Sequence, residues 1–201
     1  MPRFLRLCAI ACMGASLAAC ATVETATRSA PLEVPGFQEI QPSFDVTEIT
    51  VDVPRDLRVS ESNSYYPIAD IVWRGDPIGD RHAQITELMG AAFAEGAGAL
   101  EGVQPVMVDV EVVRFHSLTE KARYTVGGVH SIRFDMTVRD AQTGAVLVPK
   151  RRVNADLDAL GGRAAIESDR NGNGQKMRLS AHLAQVIKVE LARPLTVATA
   201  L

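Results

Sequence analysis

The stretch VMVDVEVVRF, residues 106–115, is the strongest constraint on how this chain can fold. In an extended backbone Val106, Val108, Val110 and Val112 point one way and Asp109 and Glu111 the other. Such a strand needs an apolar layer on one side and water on the other, so it belongs to a sheet covered on one face. Residues 129–139 repeat the pattern, with Ile132, Phe134, Met136 and Val138 inward and Arg133, Asp135, Thr137 and Arg139 outward. The turn DAQTG follows, where Gly144 suits a position of positive φ. A returning strand over 146–157 brings Leu147, Val153, Ala155 and Leu157 to the core and Lys150, Arg152, Asn154 and Asp156 to solvent. Pro149 cannot donate to a ladder, which marks an edge or a bulge.

Upstream, Ile49, Val51 and Val53 alternate with Thr50 and Asp52 in a half-buried strand that Pro54 ends, and Ile68–Trp73 forms a short second one. Asp80 is placed to cap a helix through about Ala94, with Ile85, Leu88, Met89, Ala92 and Phe93 on one face. Gly96, Gly98 and Gly102 are read as its end. Leu179, Leu183, Val186, Ile187 and Leu191 form the apolar stripe of a second helix from about Gln175 to Ala192. The expected fold is α+β: a mainly antiparallel sheet of about four to five strands, with two amphipathic helices packed on one face.

The amino terminus sets the address. Arg3 and Arg6 precede an apolar run, Leu7 to Leu17, that has the length of a secretory signal and not of a membrane span. Leu17-Ala18-Ala19-Cys20 then resembles the bacterial lipobox, which implies cleavage before Cys20 and a lipid on its thiol. Ala21 is not the aspartate that retains enterobacterial lipoproteins at the inner membrane, so the resemblance implies an outer-membrane anchor facing the periplasm. The expected organisation is a signal peptide over 1–19, a lipidated Cys20 with a tether through 43 punctuated by Pro31, Pro35 and Pro42, and one domain over 44–201. Cys8 and Cys12 leave with the signal, so the mature domain depends on its core and not on disulfides.

Charge narrows the partners. Loss of Arg3 and Arg6 with the signal leaves 19 basic against 24 acidic residues, about −5, whereas a nucleic-acid-binding face shows as a basic excess. Nucleic acid is therefore not an expected partner; the membrane, through the lipid, and an envelope protein are.

Candidate chemistry is sparse. In DRNGNG, Asp169, Asn171, Asn173 and Gly174 match the first half of an EF-hand loop, which makes the first three candidate metal ligands. The glutamate of loop position twelve is replaced by Ser180, and a turn feeding the last helix, with Asn173 as its cap, explains the same residues. His82, His116, His130 and His182 stand singly, without the spacing of a zinc site. His116, His130 and Glu120 would make a hydrolytic cluster only if the fold brought them together. No GxSxG lies in the mature chain, and no cofactor is expected. The outward charges Arg133, Asp135, Arg139, Lys150, Arg152 and Asp156 are the candidate docking face.

The lipobox, the Pro-marked tether, the helix after WRGDPIGDR, the hairpin VRDAQTGAVL and the closing HLAQVIKVEL helix resemble small uncharacterised lipoproteins of alphaproteobacterial type. The order of elements is also distantly similar to envelope lipoproteins auxiliary to transport or assembly machines. The expected function is a membrane-anchored, non-enzymatic binding or adaptor module. The alternative is a carrier of a lipid or other apolar ligand, with a cavity lined by Phe93, Phe134 and Met136.

Overall fold

The computed structural model describes residues 37–198; Cys20 and the signal segment lie outside them. In chain order the elements are β1 (Phe37–Ile40), β2 (Phe44–Asp52), β3 (Ile71–Val72), α1 (Arg81–Gly98), β4 (Gln104–His116), α2 (Glu120–Arg123), β5 (Gly128–Asp140), β6 (Val146–Asn154), β7 (Leu157–Ala159), α3 (Gly162–Arg170), α4 (Gln175–Leu191) and β8 (Leu195–Ala198). β1 and β8 pair in a two-stranded sheet, and the other six strands form the main one. β1 falls within the stretch expected to be tether, so among the described residues regular structure is already present at Phe37, ahead of Phe44.

The main sheet follows the path β2-β4-β5-β6. β3 pairs with β4 at Phe115 and His116, beyond the last β2 partner, and β7 pairs with β5 at 128–130, beyond β6. The sheet is thus about four strands wide with both outer lanes shared. It is mixed and not mainly antiparallel: β2 and β3 run parallel to β4, while β5 is antiparallel to β4, β6 and β7. α1 lies between β2 and β4 in sequence, and a crossover of this kind returns the chain in the same direction.

Two bulges set which side chains enter the core. Between Val112 and Arg114 the pairing with β5 shifts by one, so Phe115 turns inward opposite Ile132 while Arg114 and His116 face out. Strict alternation from Val106 would have driven Arg114 into the core. On β6, Met136 pairs with Arg151 and Val138 with Val148, which leaves an extra residue at Pro149–Lys150. β6 is also the last strand of the path, so Pro149 marks both a bulge and an edge. The same bulge makes Val148 the buried residue, with Leu147 only half-buried.

Asp80 caps α1 as expected, its carboxylate accepting from the Ala83 amide. Gly96 does not break the helix, which runs on to Gly98. A Cβ at Gly96 would lie 2.0 Å from the Ala184 carbonyl oxygen, so glycine is there to let α1 and α4 cross closely. The inward strand residues meet Ile85, Leu88, Met89, Ala92 and Phe93 of α1 and Leu179, Leu183, Ile187 and Leu191 of α4 in one core cluster. Each fully buried side chain of this size is worth about 1.5–3 kcal/mol. Among the described residues no helix is long and apolar enough to cross a membrane.

Candidate functional site

The uncovered face of the main sheet carries most of its polar chemistry. Register places Glu48, Thr50 and Asp52 of β2 beside Met107, Asp109 and Glu111 of β4, and these beside Arg139, Thr137 and Asp135 of β5. Arg152 of β6 pairs with Asp135. The acids Glu48, Asp52, Asp109 and Glu111 lie on the two strands on one side, and Arg133, Arg139, Lys150 and Arg152 on the two on the other, with Asp135 of β5 and Arg114 of β4 as the exceptions. The face is therefore biased laterally in charge and not fully sorted.

Ion pairs stitch the boundary. Arg139 Nε lies 2.8 Å from Asp109 Oδ2, and Lys150 Nζ lies 2.8 Å from Glu111 Oε2 and 3.6 Å from Asp135 Oδ2. Arg152 grips both oxygens of Asp135, and this bond, ahead of the Lys150 charge, holds the Asp135 carboxyl below its usual range. Lys150 is held above its usual range, chiefly by Glu111. Between them lies a shallow depression of about 280 Å³ lined by Thr50, Asp52, Asp109, Glu111, Asp135, Thr137, Arg139 and Lys150. Of the expected docking residues, Arg133, Asp135, Arg139, Lys150 and Arg152 share this face. Asp156 is exposed too, but it lies beyond the end of β6, where its carboxylate accepts from the Ile132 amide at 2.9 Å. The β2 and β4 acids complete the face. Their outward direction was readable, but strand order, which makes them neighbours, leaves no mark in the sequence.

A second polar site lies on the helix side. His130 precedes Ile132 and Phe134 at the period of two, and that alternation places it inward; it is 2% exposed. Burial, reinforced by the charges of Arg178 and Arg123, pushes its imidazole down to about 4. His130 Nδ1 has no hydrogen-bond partner among the described residues, nor has Oε1 of the buried Gln175, whose Nε2 donates to Ser117 Oγ at 3.1 Å. Both line a cavity of about 10 Å³ with Arg123, Arg178, Ser168 and Asn173. That is room for one water, which could donate to the amide oxygen and bond the ring nitrogen.

His116 is on the other side of the sheet. It pairs in register with Ser131, so it shares Ser131's face, and His130 is the next residue. Its Nε2 lies 2.9 Å from the Pro67 carbonyl and its ring stacks on Tyr66 at 4.6 Å. Burial first, then Arg114, lowers its pKa. Glu120 sits beside Arg74, at 3.6 Å. The sheet itself separates the two histidines, so a cluster of His116, His130 and Glu120 does not form.

The DRNGNG loop reverses the chain between α3 and α4. Asp169 is taken by Arg123 and by the Tyr124 hydroxyl, Asn171 is the C-cap of α3, and Asn173 closes the turn through Ser168. A guanidinium on the one carboxylate opposes a divalent ion there. The cap of α4 is Gly174, without a side-chain bond, and not Asn173. Phe93, Phe134 and Met136 are fully buried, with the two rings 5.2 Å apart, and they fill the core instead of lining a cavity. An apolar groove of about 240 Å³ lies elsewhere, where Leu147 and Pro149 meet Phe44, Leu191, Pro194 and Leu195.

The turn before α1 is held by charge. The buried Arg81 bonds both oxygens of Glu61, Gln84 Oε1 and the carbonyls of Asp76 and Pro77. Trp73 Nε1 donates to Asp76 at 2.8 Å, and Lys176 of α4 bonds the same carboxylate. The RGD tripeptide within this turn is thus a structural joint.

Comparison with known proteins returned no curated match. A structure from Caulobacter crescentus CB15 described as "a putative lipoprotein" is 19% identical over 53% of this chain and 80% of its own, at a TM-score of 0.32. Protein XCC0632 of Xanthomonas campestris, of family DUF330, is 14% identical over 76% of this chain and 85% of its own, at 0.44. An uncharacterized protein is 16% identical over 76% of this chain and 95% of its own, at 0.34. The profile of a family of unknown function, DUF6778, matches residues 44–200, nearly the whole stretch expected to be the folded domain, and the chain belongs to that family.

Proposed function

We propose that this protein is a lipid-anchored envelope module that binds a partner protein through the uncovered face of its main sheet, without catalysing a reaction. The observation that carries this reading is the lateral bias of charge on that face: Glu48, Asp52, Asp109 and Glu111 on β2 and β4 beside Arg133, Arg139, Lys150 and Arg152 on β5 and β6, with Arg114 and Asp135 against the trend. Opposed charges in adjoining halves favour a partner of the complementary pattern in one orientation and penalise the reverse, which is how electrostatics confers specificity. The anchor reading rests on Leu17-Ala18-Ala19-Cys20. An outer-membrane, periplasm-facing position and service to a transport or assembly machine are the finer parts of the proposal. A tether fixed at Cys20 would raise the local concentration of partners within reach.

In-cell crosslinking of the tagged full chain tests this, with Cys20→Ser and the reversal Lys150→Glu/Arg152→Glu as controls. One identified envelope protein, lost in both controls while the variants stay folded, is the expected result. The same protein recovered undiminished from the charge-reversed variant would sink the role of the face.

The apolar groove beside β6 supports a second reading, carriage of an apolar ligand. Native mass spectrometry of the protein extracted without added lipid distinguishes it: a bound lipid lost on Val197→Asp, at the exposed side of the groove, favours carriage, and a bare chain removes it.

A further inference from the structure

The loop Asn63–Ala69 displays apolar side chains that its own hydrogen bonds prevent from folding back. Ile68 is 86% exposed, Tyr66 67% and Tyr65 52%, while Pro67 and Ala69 on either side of Ile68 are buried. Thr119 Oγ1 donates to the Ser64 carbonyl at 2.8 Å, and the Lys121 amide to Asn63 Oδ1 at 2.8 Å. Arg114 donates to the Ala69 carbonyl at 3.1 Å and to the Tyr66 hydroxyl at 2.8 Å, and His116 bonds the Pro67 carbonyl. Lys121 Nζ lies 4.6 Å over the Tyr65 ring. A segment tied at five places has little conformational entropy left to lose on binding, and tyrosine is the residue type that interface hot spots favour.

The surroundings select the occupant. Charges of both signs border the loop: Arg58 pairs with Asp70 at 3.5 Å and Arg74 with Glu61 at 2.7 Å and with Glu120 at 3.6 Å, and Arg114 and Lys121 bring the border to four bases against three acids. An apolar centre inside a polar rim of nearly balanced charge is the anatomy of a protein interface, whereas attraction to an anionic bilayer needs a marked basic excess. The loop also lies away from the start of the described residues. Phe44, a few residues after β1, pairs with Gln104 at the start of β4. The loop is bound to the other end of β4, at His116, twelve residues or about 40 Å away.

We infer that this loop is a second docking site, at the His116 end of β4, for a folded protein whose apolar cleft takes Ile68 and Tyr65 within a border of both charges. The inference does not rest on the anchored reading above.

The test places a benzoyl-phenylalanine photocrosslinker at Ile68 of the full chain in cells. A protein adduct is identified by mass, and that protein is purified and titrated with wild type, Ile68→Ser, Tyr65→Ser and Lys150→Glu/Arg152→Glu. The expected result is at least a tenfold loss of affinity in each loop variant, with unchanged melting temperatures because both side chains are exposed. Tenfold loss only in the charge-reversed variant overturns the loop site and leaves the sheet face standing. Loss only in the loop variants supports the loop and shows that this partner does not use the sheet face. Absence of a protein adduct, or Ile68-dependent sedimentation with phosphatidylethanolamine–phosphatidylglycerol vesicles, overturns the inference.

Discussion

His130 shows how a single inward position can tie stability to pH. A histidine normally titrates near 6.5, but burial and two neighbouring guanidinium groups lower this one to about 4 in the folded state. Between those values the unfolded chain binds a proton that the folded protein refuses. The stabilisation is therefore complete above pH 6.5 and is lost as pH falls toward 4, by on the order of 3 kcal/mol. The carboxyls of Glu61, Asp70, Asp76 and Asp135 are also lowered on folding, so their loss of stability on acidification belongs below their ordinary values, 4.5 and under. Urea unfolding from pH 7.5 to 5 isolates the histidines. His130→Gln is expected to flatten most of that slope, with the rest due to His116, whose pKa shifts the same way. An unchanged slope in the variant would show that His130 titrates normally in the folded protein.

At the scale of elements, two glycines of α1 separate local propensity from packing. Gly90 has open space where a Cβ would go, whereas at Gly96 the Cβ would meet the Ala184 carbonyl oxygen and the Ile187 side chain. Gly90→Ala is expected to stabilise the protein by about 0.5–1 kcal/mol through the helical preference for alanine. Gly96→Ala is expected to destabilise it by about 1–3 kcal/mol, because the helices must part. Equal effects in chemical denaturation would mean that α1 and α4 do not cross there. The same contrast explains what could be read beforehand. Long elements declare themselves by period, so β4, β5, α1 and α4 were legible, as were the Asp80 cap and the Gly144 turn, where φ is +72°. β3 lies within the strand expected over Ile68–Trp73 but spans only two of its residues, β7, with three residues, is too short for a pattern, and α3 buries only Ala165. Gly96 reads as a helix end because sequence does not record what packs against a face. Strand order is equally silent, so the crossover through α1, the mixed sheet and the acidic half of the outer face emerged only in three dimensions. The five outward residues on β5 and β6 were legible because alternation fixes direction; Asp156 is exposed as expected, but it lies past the end of β6 at Asn154.

At the scale of the whole molecule, the two binding surfaces have meaning only if something fixes the domain relative to its surroundings, and Cys20 is the residue proposed to do so. One acyl chain gives marginal membrane binding, whereas the several chains of a lipobox cysteine, at about 0.8 kcal/mol per buried methylene, make a durable anchor. Cys20→Ser should therefore move the protein from the membrane pellet to the soluble extract and remove the lipid mass, while globomycin should leave an uncut, diacylglyceryl-bearing precursor. Cys20 lies seventeen positions before Phe37. Among the described residues the core is assembled at and beyond Phe44, so the melting temperature of the soluble Cys20→Ser protein should match that of the detergent-extracted wild type. Loss of partner crosslinks with full stability would then be a loss of local concentration and not of structure. If instead the variant stays in the pellet with its mass unchanged, the lipid reading fails, and both surfaces would have to find their partners by affinity alone.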